Sequence, residues 1–156
     1  MLSILICSHL NMARLHRFNC YVCRKLIGVR YFNKGYAADL GTPLNESLNS
    51  ARDLDGHGSH TLSTAGGNFV PHTSILNISN GTASGGSPRA RVAAYKVCWP
   101  VPDTDGVCYD ADIMAAVDAA ISDGVDVLSM SIGRTGGVRL NLFNHLIGFI
   151  PCQICL

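Results

Sequence analysis

The segment with the clearest chemical content is Asp-Leu-Asp-Gly-His-Gly-Ser-His, residues 53–60. His57 lies between two glycines there, so no bulky neighbour along the chain shields its imidazole. The small and hydroxylated residues that follow predict a helix over residues 57–65, which ends at Gly66-Gly67. A histidine in a glycine turn is more often an exposed polar residue, but an imidazole in the first turn of a helix can exchange protons in a cleft. We therefore take His57 as the candidate general base.

A second histidine, His60, follows one helical turn later, and two histidines at such a spacing can ligate a metal ion. Helical zinc hydrolases carry the pattern His-Glu-x-x-His, whereas Gly58-Ser59 occupy the middle here. We therefore interpret His60 as a packing and hydrogen-bonding residue behind the site, and we predict no metal ion and no other cofactor.

The chain has seven cysteines, an odd number, so they cannot all pair within it. Cys98 and Cys108 flank one loop and are candidates for a local disulfide if the chain is secreted. Two Cys-x-x-Cys pairs lie near opposite ends of the chain: Cys20 with Cys23, and Cys152 with Cys155. Together these pairs could form a four-thiolate zinc site, but nearly the whole chain separates them. A Cys/His metal-binding module is therefore the least favoured functional hypothesis.

The elements that position His57 are predicted from hydrophobic periodicity and turn residues. Residues 25–36 begin as a short strand and end in an Asn-Lys-Gly turn, and residues 37–52 and 68–88 are predicted to be loops. The mostly apolar residues 91–98 predict a strand that is buried on both faces of a parallel sheet.

The best helix candidate is Asp110–Asp123, with Asp110 as its cap and Gly124 as its C-terminal stop. Residues 125–132 predict the next strand. Strand, helix and strand together form a βαβ unit. We therefore predict an α/β fold with a parallel sheet flanked by helices.

Composition limits the classes of partner. Apolar residues make up 47% of the 156 residues and charged residues 15%, as in a globular rather than a disordered chain. The net charge of +1 gives no reason to expect nucleic acid. Polar residues and a proline interrupt the apolar stretch at residues 140–156, so it falls short of a membrane span. We expect neither a nucleic-acid nor a membrane partner.

Signals for the compartment are weak. Asn45, Asn77 and Asn80 each begin an Asn-x-Ser/Thr triplet, the acceptor pattern for N-glycosylation. Such triplets arise often by chance, so they favour secretion only mildly. The N-terminal residues have no preceding basic charge and no obvious small-residue cleavage site, so we identify no clear signal peptide.

The histidine segment resembles the G-H-G-[TS]-H motif of subtilisin-like serine proteases, in the form found in plant subtilases. Residues 23–32 resemble the family's stretch ahead of the histidine, and residues 81–99 resemble the loop and strand after it. Residues 110–133 resemble the family's D-I-[LM]-A-A…D-A-I…D-G-V-D-[VI] run. The resemblance predicts a partial, incompletely doubly wound peptidase domain at residues 20–134. Residues 1–19 and 135–156 are then unmatched segments.

The resemblance also implies roles for individual residues. His57 would take the proton from an attacking serine and return it to the leaving amine. Ser131, Ile132 and Gly133 would form an edge that hydrogen-bonds an extended polypeptide substrate. Members of the family are exported to the cell wall space, so the resemblance implies an extracellular, secreted glycoprotein.

The sequence departs from the family pattern at two members of the Ser/His/Asp triad. No strand ending D-[ST]-G precedes the histidine, and no G-T-S-[MAF] turn follows it. The S-A-G-N stretch with the oxyanion asparagine is also absent. Our leading hypothesis is a fragment of a serine endopeptidase, from a truncated gene model or transcript with non-homologous ends, that is inactive alone. The alternative is a non-catalytic peptide-binding pseudoprotease.

Overall fold

The computed structural model describes residues 3–7, 25–41, 48–101, 106–132 and 153–155, the first and last of these ranges by their backbone alone. Its strands are β1 (Ser3–Cys7), β2 (Leu26–Tyr31), β3 (Val70–Ile75), β4 (Ile78–Ala83), β5 (Arg91–Lys96), β6 (Cys98–Trp99), β7 (Val107–Cys108), β8 (Val127–Ser129) and β9 (Gln153–Cys155). Its helices are α1 (Lys34–Leu40), α2 (His57–Gly66) and α3 (Asp110–Asp123).

The main sheet has the strand order β2-β5-β1-β8-β9. β2 and β5 are parallel, as are β8 and β9, while β1 is antiparallel to both β5 and β8. It follows that β5 and β8 run in the same direction with β1 between them, and α3 connects them along the chain. The predicted α/β fold is therefore confirmed. β1, which no periodicity in residues 1–19 predicted, makes the sheet mixed.

The core lies between β5 and α3. Residues 92–96 of β5 are all buried, as expected for a strand covered on both faces. The side chains of α3 that pack against this strand are Ile113, Ala116, Val117 and Ala120. Leu128 of β8 completes the same cluster. Burying one such aliphatic side chain stabilises the fold by about 1.5–3 kcal/mol, so this cluster fixes the strand next to which the histidine helix lies.

The ends of α3 differ in part from the prediction. Tyr109, not Asp110, is the N-cap, and Asp110 is the first helical residue, where its charge still suits the helix dipole. Gly124 ends the helix in a left-handed conformation with φ 77°, and its N–H donates to Ala120 and Ile121 carbonyls. That conformation is strained for residues with a side chain, which explains the glycine.

The prediction of a loop from residue 37 onwards is wrong at its start, because α1 continues to Leu40. The buried carboxylate of Asp112 accepts hydrogen bonds from the N–H groups of Gly35 (2.8 Å) and Tyr36 (3.1 Å). Free N–H groups at a helix start need such acceptors. Since Asp112 is more than 70 residues away, no local pattern could have indicated this helix.

The predicted loop at residues 68–88 is also wrong in part, because β3 and β4 form an antiparallel hairpin there. Leu76 and Asn77 form its turn with φ values of 49° and 62°, the positive values that two-residue hairpin turns require. The hairpin projects from the core, and Ile75 and Leu76 are 80% and 89% exposed. Because neither face is buried, the segment has no alternation of apolar and polar residues by which to recognise it.

β6 and β7 pair as a short antiparallel ribbon in which Cys98 lies opposite Cys108. The two residues form a disulfide with a Cα–Cα distance of 4.1 Å. The predicted local disulfide is therefore confirmed. Residues 102–105, between these two strands, lie outside the described ranges.

Candidate active site

His57 is the first residue of α2, as predicted. The preceding Gly56 adopts φ 93°, a left-handed conformation that turns the chain sharply into the helix. The His57 ring is half-buried, and its Nδ1 atom is buried without a hydrogen-bond partner among the described residues. A buried polar atom without a partner costs about 1–3 kcal/mol, so such atoms are rare outside functional sites.

The side chain of Asp53 holds the start of α2. Its Oδ1 atom accepts hydrogen bonds from the N–H groups of Gly56 (2.9 Å) and Asp55 (3.2 Å). Its Oδ2 atom accepts from the N–H (2.8 Å) and the hydroxyl (2.6 Å) of Ser59. Burial raises the pKa of Asp53, but the hydrogen bonds from Ser59, Gly56 and Asp55 together outweigh burial and lower the pKa to about 2. Asp53 therefore stays ionised and fixes the turn that carries His57.

The C-terminal end of α2 is held by backbone contacts with residues 85–87. The N–H groups of Gly86 and Ser87 donate to the carbonyls of Thr64 (2.8 Å) and Ala65 (2.9 Å), which have no partner within the helix. Gly85 approaches so closely that a Cβ atom on it would lie 2.3 Å from the nitrogen of Gly67. α2 is thus fixed at both ends, and the direction of His57 with it.

The interpretation of His60 as a packed residue is wrong, since the structure leaves it exposed. The buried positions of α2 are the glycines Gly58 and Gly66, and at Gly66 the helix backbone lies so close to Val92 of β5 that a Cβ atom would not fit. The carbonyl of His60 accepts hydrogen bonds from the hydroxyls of Ser63 and Thr64. Within the described ranges, no group of three or more His, Cys, Asp or Glu residues could hold a metal ion.

The predicted substrate edge follows β8. That strand covers Val127–Ser129 and is shorter than the predicted range of residues 125–132. Ser131 and Ile132 lie directly after it and are half-buried, and Ile132 packs against the core cluster. Gly133 lies outside the described residues. β8 is separated from β5 by β1, so the structure places this edge across the sheet from the strand that supports α2.

The sequence interpretation missed Lys96, which is only 3% exposed. Its ammonium group donates hydrogen bonds to the carbonyls of Ser50 (3.1 Å) and Arg52 (2.9 Å), in the segment just before Asp53. The signal that could have indicated it is the single charged residue in the run Val-Ala-Ala-Tyr-Lys-Val, residues 92–97, which is otherwise uncharged. Lysine is almost never fully buried unless it is paired.

The arrangement presents an imidazole on a rigid helix, with Nδ1 available for an acceptor that the described residues do not provide. Such a group can transfer protons and belongs to acid–base or nucleophilic chemistry. No helix in the described part of the chain is long and apolar enough to cross a membrane.

Comparison with known proteins identifies the family. The model of the subtilase family, peptidase S8, matches residues 31–145. Subtilisin-like protease SBT5.4 of Arabidopsis thaliana is 68% identical over 114 residues, which cover 73% of this chain and 14% of that protein. SBT5.3 of the same plant is 69% identical over 130 residues, covering 83% and 16%. A subtilisin-like protease of Glycine max is 61% identical over 110 residues, covering 70% and 14%.

The chain thus spans only about a seventh of the length of these relatives. The match nevertheless covers well over half of the 156 residues, and it includes the histidine helix, β5 and α3. The chain belongs to the subtilase family.

Proposed function

We propose that this chain is part of a serine endopeptidase in which His57 is the general base. The observation that carries the proposal is the buried Nδ1 atom of His57, which has no partner among the described residues on a helix fixed at both ends. In a Ser/His/Asp triad, one ring nitrogen takes the proton of the serine and the other donates to a carboxylate. The unpartnered Nδ1 supports the role of donor to a carboxylate.

The polypeptide substrate would bind along Ser131, Ile132 and Gly133. Residues at the end of a strand can present free N–H and C=O groups, and an extended peptide can pair with these as an additional strand. The half-buried Ser131 and Ile132 directly follow β8, which supports this assignment. Such pairing recognises the main chain of the substrate, so side-chain specificity would come from other parts of the cleft.

The 156 residues do not cleave peptides by themselves under this proposal. They contain no D-[ST]-G or G-T-S motif, so the aspartate and serine would come from a longer polypeptide of which these residues are a part. Loss of the nucleophile alone leaves only residual catalysis. Nothing in the described residues favours the peptide-binding pseudoprotease or the metal-binding module over this proposal.

We further propose that the protein is secreted and glycosylated. The Cys98–Cys108 disulfide supports an oxidising compartment. Asn77 and Asn80 are both exposed on the β3–β4 hairpin, where an attached glycan would meet no steric barrier from the core. Mass spectrometry of peptides treated with a peptide-N-glycosidase would detect the conversion of an occupied asparagine to aspartate.

A graft tests the catalytic assignment. Residues 25–132 of this chain would replace the matching segment of SBT5.3, and the secreted graft would be assayed on a fluorogenic peptide. We expect His57→Gln to lower kcat at least about 10³-fold, because the serine then has no base. His60→Gln is the matched control and should retain activity. Full activity of the His57 variant, or a folded graft that is inactive with His57 present, would contradict the assignment.

A fluorophosphonate probe tests the proposal that the 156 residues are inactive by themselves. The 156-residue chain should remain unlabelled, while the grafted enzyme should be labelled at its serine. Covalent labelling of the isolated chain would show that it contains an activated nucleophile and would overturn the claim of inactivity.

A further inference from the structure

Lys96 is a charged residue in β5, where residues 92–96 are all buried. Its side chain is 3% exposed, between the buried Tyr95 and Val97. Burial lowers the pKa of Lys96, and the nearby charge of Asp53 acts in the opposite direction. Taking an ammonium group out of water is unfavourable, and an apolar residue of similar volume is often at least as stable at such a position. The lysine is therefore better explained by its contacts than by packing.

The hydrogen bonds of the ammonium group lead to the segment before α2. The ammonium donates to the carbonyls of Ser50 and Arg52 at 3.1 and 2.9 Å. These residues are followed directly by Asp53, whose carboxylate accepts the hydrogen bonds that start α2. One lysine thus binds two carbonyls of the short irregular segment that precedes Asp53.

The position of the ammonium is itself well fixed. It lies 4.1 Å from the centroid of the Trp99 ring, within the range of a cation–π interaction. Trp99 stacks on Tyr36 with ring centroids 5.6 Å apart, and its Nε1 donates to the carbonyl of Phe32 (2.8 Å). Cys98, the neighbour of Trp99, is held by the disulfide. The lysine therefore connects a rigid aromatic platform to the histidine turn.

We propose that Lys96 is a positioning residue for His57: it holds residues 50–52 so that Asp53 can cap α2 and set the direction of the imidazole. The inference rests on the proposed role of His57 as the base. It assigns no contact between Lys96 and the substrate. A displacement of Asp53 would release Gly56, the first residue of the Gly-His-Gly turn, and Ser59, which follows the turn.

The test uses the 156-residue chain and two lysine variants. Lys96→Met keeps the apolar stem and removes the ammonium, and Lys96→Arg restores a donor. Lys25→Met is the matched control, because Lys25 also donates to a backbone carbonyl, that of Pro88, but outside the histidine turn. Amide hydrogen exchange and the imidazole Hε1 signal of His57, assigned with His57→Gln, report on the turn.

We expect Lys96→Met to accelerate exchange of the Ser59 and His60 amides at least tenfold relative to amides of α3, and to shift the His57 signal. Lys96→Arg should restore both, and Lys25→Met should change neither. Equal acceleration in α2 and α3 would show a merely structural role and overturn the proposal. So would an unchanged His57 signal, or a chain without a dispersed spectrum. Because no outcome depends on proteolysis, failure here is distinguishable from failure of the catalytic assignment.

Discussion

Replacing Asp53 with asparagine should destabilise the fold in a pH-dependent way. The carboxylate accepts four hydrogen bonds at the start of α2, two of them from Ser59 through Oδ2. In Asp53→Asn, the amide NH₂ group replaces one oxygen and cannot accept, so one side of this arrangement is lost. The change leaves the size of the side chain almost unaltered, so packing should not contribute.

The magnitude follows from the pKa of Asp53, which falls from 3.8 to about 2 in the folded chain. A difference of this size corresponds to about 2 kcal/mol at most. Because the side chain is partly exposed, solvent screening reduces the expected contribution to about 1 kcal/mol. Since the folded-state pKa is depressed, this stabilisation is present above about pH 4 and is lost as the pH falls through about 2.

Urea denaturation followed by circular dichroism, at several values between pH 7 and pH 2, measures this contribution. The wild-type chain should be more stable than Asp53→Asn by about 1 kcal/mol at pH 7, and the difference should disappear near pH 2. The control is Asp118→Asn, at an exposed position of α3 that lacks the capping role of Asp53. A difference that is the same at both pH values, or that Asp118→Asn reproduces, would refute the capping argument.

Two further tests concern the close packing at Gly85 and the Cys98–Cys108 disulfide. Gly85→Ala should destabilise the chain by about 1–3 kcal/mol, because its Cβ would lie 2.3 Å from the nitrogen of Gly67, a backbone atom that cannot rotate away. Gly86→Ala, whose Cβ meets only ordinary contacts at 3.7 Å or more, is the control, and equal thermal shifts for both would argue against this packing. Removing the disulfide with Cys98→Ser and Cys108→Ser should lower stability by about 2–3 kcal/mol through loop closure, measured by denaturation with and without reductant. A wild-type chain that reductant does not destabilise would contradict the cross-link.

Local sequence patterns predicted those helices and strands whose conformation depends on residues that are close together in the sequence. α2 and α3 both end at glycines that stop a helix, and β5 is a mostly apolar run long enough for only one buried strand. The histidine was recognisable because its neighbours are small and because the motif is compact. In each case, the residues that decide the conformation lie within a few positions of one another.

The features that sequence reasoning missed depend on distant partners. The start of α1 needs the carboxylate of Asp112, which belongs to another helix. The role of Lys96 depends on the carbonyls of residues 50 and 52, which the fold places within hydrogen-bond distance of its ammonium group. The hairpin was missed for the opposite reason, since it buries too little surface to leave a pattern. The exposure of His60 follows from the burial of two glycines, which hydrophobicity does not reveal.

The hydrogen bond from the N–H of Gly85 to the carbonyl of Gly67 (3.0 Å) has a consequence for how the family can vary. This hydrogen bond joins the two ends of the segment formed by residues 68–84, which contains β3 and β4. The ends of the segment therefore stay together whatever sequence lies between them. The entropy of closing a longer loop rises only slowly with length. Insertions, deletions or substitutions in the β3–β4 hairpin can therefore accumulate without moving the helix that carries His57. The hairpin is a position where relatives can diverge in surface and size while the geometry of the histidine is retained.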